Sequence, residues 1–226
     1  MPTALITGAS RGLGQALARR LARDGWTLII DAREEGPLLA TADELAAHTT
    51  VHAVVGDVGA EAHRAALVKA AADAGGLDAI IHNASMLGPS PQPALADYPL
   101  DTLRRVYEIN VFAPLRLTQM MDPHLHDGAR VIAVTSDAAV EDYAGWGGYG
   151  SSKAALEHAF AILAAERPDL RVHRVDPGDM RTRMHAEAFP DEDISDRPLP
   201  DISVPGLVAL LTGRYGSGRY RARDLA

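Results

Sequence analysis

Tyr149 and Lys153 are the residues of this sequence whose types and spacing most directly suggest chemistry. They lie four residues apart, and the helix-forming run Ala154-Ala155-Leu156 follows them. Residues four apart on a helix share one face. A tyrosine has an ordinary pKa of about 10, and a neighbouring cation favours its ionised form. The pair therefore predicts a tyrosine that acts as a general acid or base.

Two polar residues earlier in the chain are candidates for the same site. Ser136 follows the apolar run Val131–Thr135, so we expect its hydroxyl at the carboxyl edge of a sheet, where ligands bind. Asn110 lies inside a helix-like segment, and asparagine is a poor helix-interior residue that asks for a reason. With Tyr149 and Lys153 they predict a catalytic constellation; purely structural roles for all four are the alternative.

A glycine-rich segment stands near the start of the chain, between a short apolar run and a helical pattern. It reads Thr7-Gly8-Ala9-Ser10-Arg11-Gly12-Leu13-Gly14. Glycines let a backbone turn sharply and approach a pyrophosphate, and the free N–H groups of a helix N-terminus bind its negative charge. The segment predicts a dinucleotide site, and a tight turn alone is the alternative interpretation.

The glycine spacing resembles the TGxxxGxG element of the short-chain dehydrogenase/reductase family. The family's catalytic tetrad is matched in order and spacing by Asn110, Ser136, Tyr149 and Lys153. Pro177–Thr182 resembles its PGxxxT element. His82–Ser85 departs at two positions from the family's Asn-Asn-Ala-Gly, and we interpret His82 as a hydrogen-bonded strand-end residue rather than a catalytic one. The resemblance extends from Thr3 to about Arg183.

The resemblance implies hydride transfer between a nicotinamide cofactor and a carbonyl or alcohol carbon. Tyr149 would give a proton to the carbonyl oxygen, or take one from the alcohol, and Ser136 would hold that oxygen. Lys153 would bind the nicotinamide ribose and lower the pKa of Tyr149, and Asn110 would anchor a water of the proton relay. A nicotinamide-retaining epimerase or dehydratase, or a catalytically silent NADP(H)-binding sensor, is the alternative.

NADP(H) is the favoured cofactor, with NAD(H) as the alternative. Arg11 and Arg33 resemble positions of NADP-preferring members, and planar guanidinium groups suit a 2′-phosphate. Asp31 complicates this interpretation, although strand alternation should turn it away from the ribose. The family places an acid against the adenine where this chain has Asp57. The predicted cofactor contacts are Gly8, Ser10, Arg11, Gly12, Leu13, Gly14, Arg33, Asp57, Val58, Asn83, Ala84, Ser85, Tyr149, Lys153, Pro177, Gly178, Met180 and Thr182.

The elements that must position these residues follow from an alternation of short apolar runs and helix-length amphipathic segments. The candidate strands are Ala4–Thr7, Thr27–Asp31, Val51–Val55, Ala79–His82, Val131–Thr135 and Val172–Val175. Strands this apolar are typical of a sheet buried on both faces. The alternation predicts an α/β fold: a Rossmann-type, doubly wound parallel sheet in three layers, helix, sheet and helix.

At 226 residues, the chain suits one NAD(P)-binding Rossmann domain spanning residues 1–226. Residues 179–205, rich in prolines and acids, are expected to form a substrate-side loop or lid, with a solvated surface loop as the alternative. Residues 217–222 could form a final edge strand. We expect a homodimer or homotetramer, to which the apolar residues Leu156, Phe160 and Leu163 could contribute if they are not core residues.

The composition argues against several classes of function. A formal net charge of -8 offers no broad basic field for nucleic acid or an anionic membrane. No apolar stretch reaches the ~20 residues of a membrane span, and no signal peptide is visible. The chain has no cysteine, and its scattered histidines form no convincing metal site. We therefore expect a cytoplasmic protein acting on a small-molecule carbonyl or alcohol.

The residues after the fourth, fifth and sixth strands are expected to border the substrate. They are Met86, Leu87, Asp137, Val140, Asp142, Trp146 and Met180. The acids in and near this set would suit a substrate with a cationic or hydroxyl-rich part, but we prefer the interpretation that most of them face solvent. The short tail after Arg183 predicts an open pocket for small or medium substrates.

Overall fold

Seven strands form one parallel sheet in the computed structural model, which describes residues 1–225. Their order across the sheet is β3-β2-β1-β4-β5-β6-β7. The strands are β1 (Thr3–Ile6), β2 (Thr27–Ala32), β3 (Val51–Val55), β4 (Leu77–His82), β5 (Leu125–Val134), β6 (Arg171–Asp176) and β7 (Gly218–Arg221). The strand order reverses at β1 and β4, and ligands bind beyond the carboxyl ends of strands at such a point. Ala226, the last residue of the predicted domain, lies outside the described residues.

The helices cover both faces of this sheet. They are α1 (Gly12–Arg23), α2 (Glu35–Ala46), α3 (Glu61–Asp73), α4 (Leu100–Tyr107), α5 (Ala113–Met121), α6 (Gly147–Glu166), α7 (Arg183–Ala188) and α8 (Val204–Thr212). Buried side chains of α1, α2 and α8 pack on one face, and those of α3, α5 and α6 pack on the other. The predicted three-layer Rossmann fold is confirmed.

Burial on both faces explains why the strands are so apolar. Ala4, Leu5 and Ile6 of β1 are each fully buried, although alternate side chains point to opposite faces. On α1, Leu13, Leu17 and Leu21 are 5%, 1% and 0% exposed. Their four-residue spacing places all three on the face that meets the sheet.

Two elements differ from the expectations. Strand β5 begins at Leu125, because Leu125 pairs with Leu77 before an irregularity in the ladder, and the intervening polar residues gave no strand pattern. The helix expected around Asn110 is divided: a π turn, Glu108–Phe112, separates α4 from α5. The predicted edge strand is present as β7, which pairs in parallel with β6.

The segment after β6 contains helices rather than only an irregular surface loop. Residues 179–205 contain α7 and the short 3-10 helix Pro200–Ser203, which leads into α8. Leu156 and Phe160 are 1% and 0% exposed in the core, so neither is available for an interface between copies. Oligomerisation stays a prediction and would have to use other residues. No helix among residues 1–225 has the length and apolar character that a membrane span requires.

Candidate active site

The glycine loop joins β1 to α1 and leaves the N-terminus of α1 open. Gly8 and Gly12 have φ angles of +69° and +58°, which favour glycine. A Cβ on Gly8 would lie 2.9 Å from the Cα atom of Ala84. No side chain caps the first turn of α1. The free N–H groups of this turn therefore fit a phosphate-bearing ligand, as the glycine spacing predicts.

Gly14, one of the predicted cofactor contacts, is closely packed against neighbouring atoms of the protein. A Cβ at this position would lie 2.5 Å from both Asn83 Nδ2 and Gly8 O. Gly14 does not line the groove described next. The structure assigns it to close packing between α1 and the loop after β4, a role that glycine spacing alone does not separate from ligand contact.

A groove of about 670 Å³ lies over the carboxyl ends of β1, β2 and β4. It brings together most of the predicted cofactor residues: Gly8, Ser10, Arg11, Gly12, Leu13, Arg33, Asp57, Val58, Asn83, Ala84, Ser85, Tyr149, Lys153, Pro177, Met180 and Thr182. Gly178 lines only an adjoining cavity. Its φ of +71° allows the turn that brings Thr182 to the groove.

The end of the groove beyond β2 carries both positive and negative charge. Arg11 Nη2 lies 2.5 Å from Glu34 Oε2, and Arg183 Nη1 lies 3.9 Å from Glu34 Oε1. The Arg11 guanidinium holds the pKa of Glu34 below its ordinary value. Arg33 lines the same part of the groove and is exposed. Sequence reasoning missed Glu34, which neighbours Arg33, and Arg183, which lies just past the PGxxxT-like motif.

Asp31 is held by protein partners beneath the glycine loop. Its Oδ1 accepts a hydrogen bond from Gly8 N at 2.7 Å, and its Oδ2 lies 2.9 Å from His63 Nε2. Its side chain is only 2% exposed. Asp31 also lines the groove, so its expected orientation away from the ribose stays a prediction. The partner His63 was not foreseen.

Asp57 and Asn83 also have structural partners that the sequence did not indicate. Asp57 accepts a hydrogen bond from Gly59 N at 2.8 Å and forms an ion pair with Arg105 of α4. Asn83 Nδ2 donates to the Thr7 and Gly8 carbonyls at 2.9 and 3.0 Å. Asn83 thus ties the loop after β4 to the glycine loop and fixes the floor of the groove.

The side-chain amide of Asn110 forms all of its hydrogen bonds with other groups of the protein. Its Oδ1 accepts from Met86 N at 2.7 Å and from Ser85 Oγ at 3.1 Å. Its Nδ2 donates to Met86 O and to Ser152 Oγ, each at 2.9 Å. These four bonds saturate the amide. The predicted water contact therefore has to use the backbone carbonyl, in a π turn that displaces the α-helical hydrogen bonds.

The other three candidate catalytic residues meet where the groove joins a second cavity. Lys153 Nζ donates to Val134 O at 2.8 Å and lies 5.5 Å from the centroid of the Tyr149 ring. Ser136 Oγ donates to Asp137 Oδ1 at 2.8 Å and accepts from Ala138 N at 3.2 Å. Tyr149 lines both cavities and is 8% exposed.

Burial controls the charge states of this pair. Burial raises the pKa of Tyr149 well above its ordinary value, and interactions with the Ser85 and Ser136 hydroxyls oppose this only in part. Burial lowers the pKa of Lys153 to about 7, against the opposing effect of Glu157. Burial thus outweighs the other effects on Tyr149 in the protein alone, and a lowering of its pKa by Lys153 stays a prediction. Tyr149 is therefore a neutral phenol near pH 7.

The second cavity has a volume of about 370 Å³ and lies beside Tyr149 and Ser136. Four of the seven residues expected to border the substrate line it: Leu87, Asp137, Trp146 and Met180. Met86 lines the groove instead, and neither cavity includes Val140 or Asp142. The cavity is also lined by Met184, His185 and Phe189, which lie in α7 and just after it, within the substrate-side segment expected at residues 179–205. The tail thus forms part of the wall of the cavity.

His82 has the structural role that we expected. Its Nε2 lies 2.8 Å from Thr118 Oγ1, and its ring packs edge-on against Phe160 at a centroid distance of 5.4 Å. The side chain is 2% exposed, and burial lowers its pKa to about 3. His82 is therefore neutral near pH 7 and lies within the core behind the site.

Known proteins share both the sequence pattern and the fold. The family model for short chain dehydrogenase matches residues 2–193. The oxidoreductase YciK of Escherichia coli is 34% identical over 209 residues, which are 89% of this chain and 82% of the relative. Benzil reductase of Saccharomyces cerevisiae is 33% identical over 193 residues, 81% of this chain and 73% of the relative.

A solved structure gives the same result in three dimensions. A short chain dehydrogenase from Shigella flexneri, complexed with NADP, is similar with a TM-score of 0.91 and 30% sequence identity. The match covers 98% of this chain and 97% of the other. Since the family model alone matches most of the sequence, this chain belongs to the short-chain dehydrogenase family and is an oxidoreductase of that family.

Proposed function

We propose that this protein reduces a small carbonyl compound with NADPH. The observation that carries the proposal is the position of Tyr149, which lines both the dinucleotide groove and the smaller cavity. A substrate in that cavity would have its reacting carbon between the phenol and the cofactor. The reductase relative and the NADP-bound structure support the same reaction type and cofactor.

The groove fits NADP(H) by its own chemistry. The uncapped N-terminus of α1 and the glycine loop suit a pyrophosphate, and Arg11 and Arg33 suit a 2′-phosphate. Arg183 adds a third guanidinium at that end. When bound, NADPH supplies the hydride that attacks the carbonyl carbon.

The protein would supply orientation and a proton. The Ser136 hydroxyl would hold the substrate oxygen, and the neutral phenol of Tyr149 would donate its proton to it. Because burial raises the Tyr149 pKa, the residue begins the cycle protonated and can serve as the proton donor that reduction needs. Lys153, whose pKa burial lowers to about 7, can exchange a proton near neutral pH. Asn110 would hold Ser85 and Met86 in place beside them.

Binding titrations of NADPH and NADH, followed by nicotinamide fluorescence, test the cofactor assignment. We expect Arg33→Ala to weaken NADPH binding by about 10- to 150-fold, because charged hydrogen bonds to a phosphate contribute about 1.5–3 kcal/mol. NADH binding should stay unchanged. Arg214→Ala is the matched control, since Arg214 is exposed and lines neither cavity. Equal or tighter NADH binding by the wild type would contradict the assignment.

A further inference from the structure

A row of aromatic rings extends from Tyr149 into the smaller cavity. The Trp146 and Tyr149 rings meet edge-on, with centroids 5.9 Å apart. Trp146 and Phe189 follow at 5.6 Å, and Phe189 and His185 at 4.8 Å. Trp146 and Phe189 are half-buried and line the cavity. Aromatic surface is thus available to a molecule whose reacting end reaches Tyr149.

The rings come from two different parts of the fold. Trp146 precedes the first residue of α6, and Phe189 follows the last residue of α7. The remaining apolar wall is supplied by Leu87, Met180, Met184 and Ala188. A flat body that enters from the side of α7 therefore meets aromatic rings and thioether side chains before its end reaches Ser136.

The charges around the cavity are negative. Asp137, Asp176 and Asp179 line it, and within residues 1–225 no lysine or arginine does. Arg219 lies behind the wall, 3.8 Å from Asp176, and is bonded mainly to Glu157. An anionic substrate would thus meet three carboxylates and no lining cation, which is unfavourable in a partly desolvated site.

We propose that the substrate is a neutral aryl ketone or aryl aldehyde whose ring packs against Trp146 and Phe189. This inference rests on the proposed function and names its substrate class. The carbonyl oxygen would face Ser136 and Tyr149. Hydride from NADPH would form the new C–H bond, the Tyr149 proton would go to oxygen, and the products would be a benzylic alcohol and NADP+.

Two ketones of similar size test the role of the rings by turnover. Acetophenone has an aromatic ring where cyclohexyl methyl ketone has a saturated one. Aromatic pairs contribute about 0.5–1.5 kcal/mol beyond area, which is about 2- to 10-fold in rate. We expect Phe189→Leu and Trp146→Leu each to lower the kcat/KM ratio of acetophenone to cyclohexyl methyl ketone by that factor. Comparing ratios between proteins cancels the intrinsic reactivity of each ketone.

Phe112→Leu is the matched control, because Phe112 is 53% exposed and lies outside both cavities. It should leave the ratio unchanged. Turnover of both ketones with ratios that are the same in all four proteins would overturn the substrate class and leave the reductase function standing.

Binding without chemistry separates the two proposals further. The protein is first saturated with NADP+, which cannot reduce a ketone. Acetophenone, cyclohexyl methyl ketone and the anionic probe para-acetylbenzoate are then titrated into it in separate calorimetric experiments. We expect acetophenone to bind most tightly, cyclohexyl methyl ketone less tightly and para-acetylbenzoate most weakly. In Phe189→Leu, acetophenone should lose its advantage over cyclohexyl methyl ketone. This order without NADPH turnover would contradict the reductase function alone. Equal binding of all three probes would overturn the substrate class, whether or not turnover occurs.

Discussion

Arg219 on β7 donates from Nε to both carboxylate oxygens of Glu157 on α6, at 3.0 and 3.1 Å. Its Nη2 also donates to the backbone carbonyl of Ser136 at 3.2 Å. Glu157 accepts a further hydrogen bond from Thr135 Oγ1 at 2.8 Å. This pair therefore links the last strand, the end of β5 and the helix that carries Tyr149.

Arg219→Met is expected to lower the free energy of unfolding by about 3 kcal/mol, because it leaves the carboxylate of Glu157 buried and uncompensated. The Glu157 side chain is only 10% exposed. The double variant Arg219→Met, Glu157→Leu should recover part of the loss, since the unpaired Glu157 carboxylate is removed, whereas Asp176, 3.8 Å from Arg219, still loses its neighbour. Denaturant unfolding measures both changes. Lys69→Met, which breaks an exposed pair with Asp73, is the control and should cost under about 1 kcal/mol. Equal losses in the single and double variants would contradict this account.

His82 gives the protein a predicted sensitivity to acid. Its ordinary pKa of 6.5 applies to the unfolded chain, and burial lowers the pKa to about 3 in the fold. Between these values the unfolded chain binds more protons, so stability falls as the pH drops from about 6.5 towards 3. We expect His82→Asn to reduce this slope by up to about 1.4 kcal/mol per pH unit. His173, whose pKa burial lowers to about 4, keeps a residual slope.

Unfolding in denaturant at a series of pH values measures the effect of His82. His48→Asn, a change at an exposed histidine, is the control and should keep the wild-type slope. If the free energy of unfolding of His82→Asn depends on pH as that of the wild type does, His82 is not a source of the acid sensitivity.

Tyr149→Phe is expected to reduce kcat for carbonyl reduction about a hundredfold to ten-thousandfold, the usual contribution of a general acid. NADPH binding should change little, because the ring still fills its place. Tyr107→Phe is the control: it removes a hydroxyl that donates to Ser151 Oγ at 3.0 Å and lines neither cavity. Stopped-flow reduction and fluorescence titration report the two steps, and similar rates for both variants would rule out Tyr149 as the acid.

Glu34→Gln is expected to strengthen NADPH binding about 2- to 5-fold, because the exposed carboxylate competes with a 2′-phosphate for Arg11 and Arg183. The gain should shrink at high salt, as surface charge effects do. NADH has no 2′-phosphate, so its binding should not improve. Glu35→Gln, one residue further on and outside the groove, is the matched control. A gain of the same size for NADH would show that Glu34 does not act on the phosphate.

Local patterns predicted the fold correctly and indicated residues that the structure places at one edge of the sheet. The apolar strand runs, and leucines such as Leu13 and Leu17, reflect burial against a sheet, which a sequence shows directly. The glycine loop and Ser136 each follow a strand, and Tyr149 lies in the first turn of a helix. Once the topology is known, these positions meet at one edge of the sheet.

Contacts between distant segments could not be predicted in the same way. Glu34 pairs with Arg11 and approaches Arg183, and Glu157 pairs with Arg219, because chain crossovers place them side by side. No local pattern indicates those pairings. The saturated amide of Asn110 and the raised pKa of Tyr149 likewise depend on tertiary burial, which residue types and spacing do not specify.

The proposed function depends on direct transfer of hydrogen from NADPH to a carbonyl carbon. Incubation with acetophenone and NADPH deuterated at the transferring position of the nicotinamide tests it, with mass spectrometry of the alcohol. We expect the alcohol made by the wild-type protein to carry one deuterium on its carbinol carbon. The Tyr149→Phe variant should make much less of this alcohol. Cyclohexyl methyl ketone is included so that the result does not depend on the aryl preference. Oxidation of NADPH without formation of an alcohol would contradict direct transfer, and so would an alcohol that carries no deuterium.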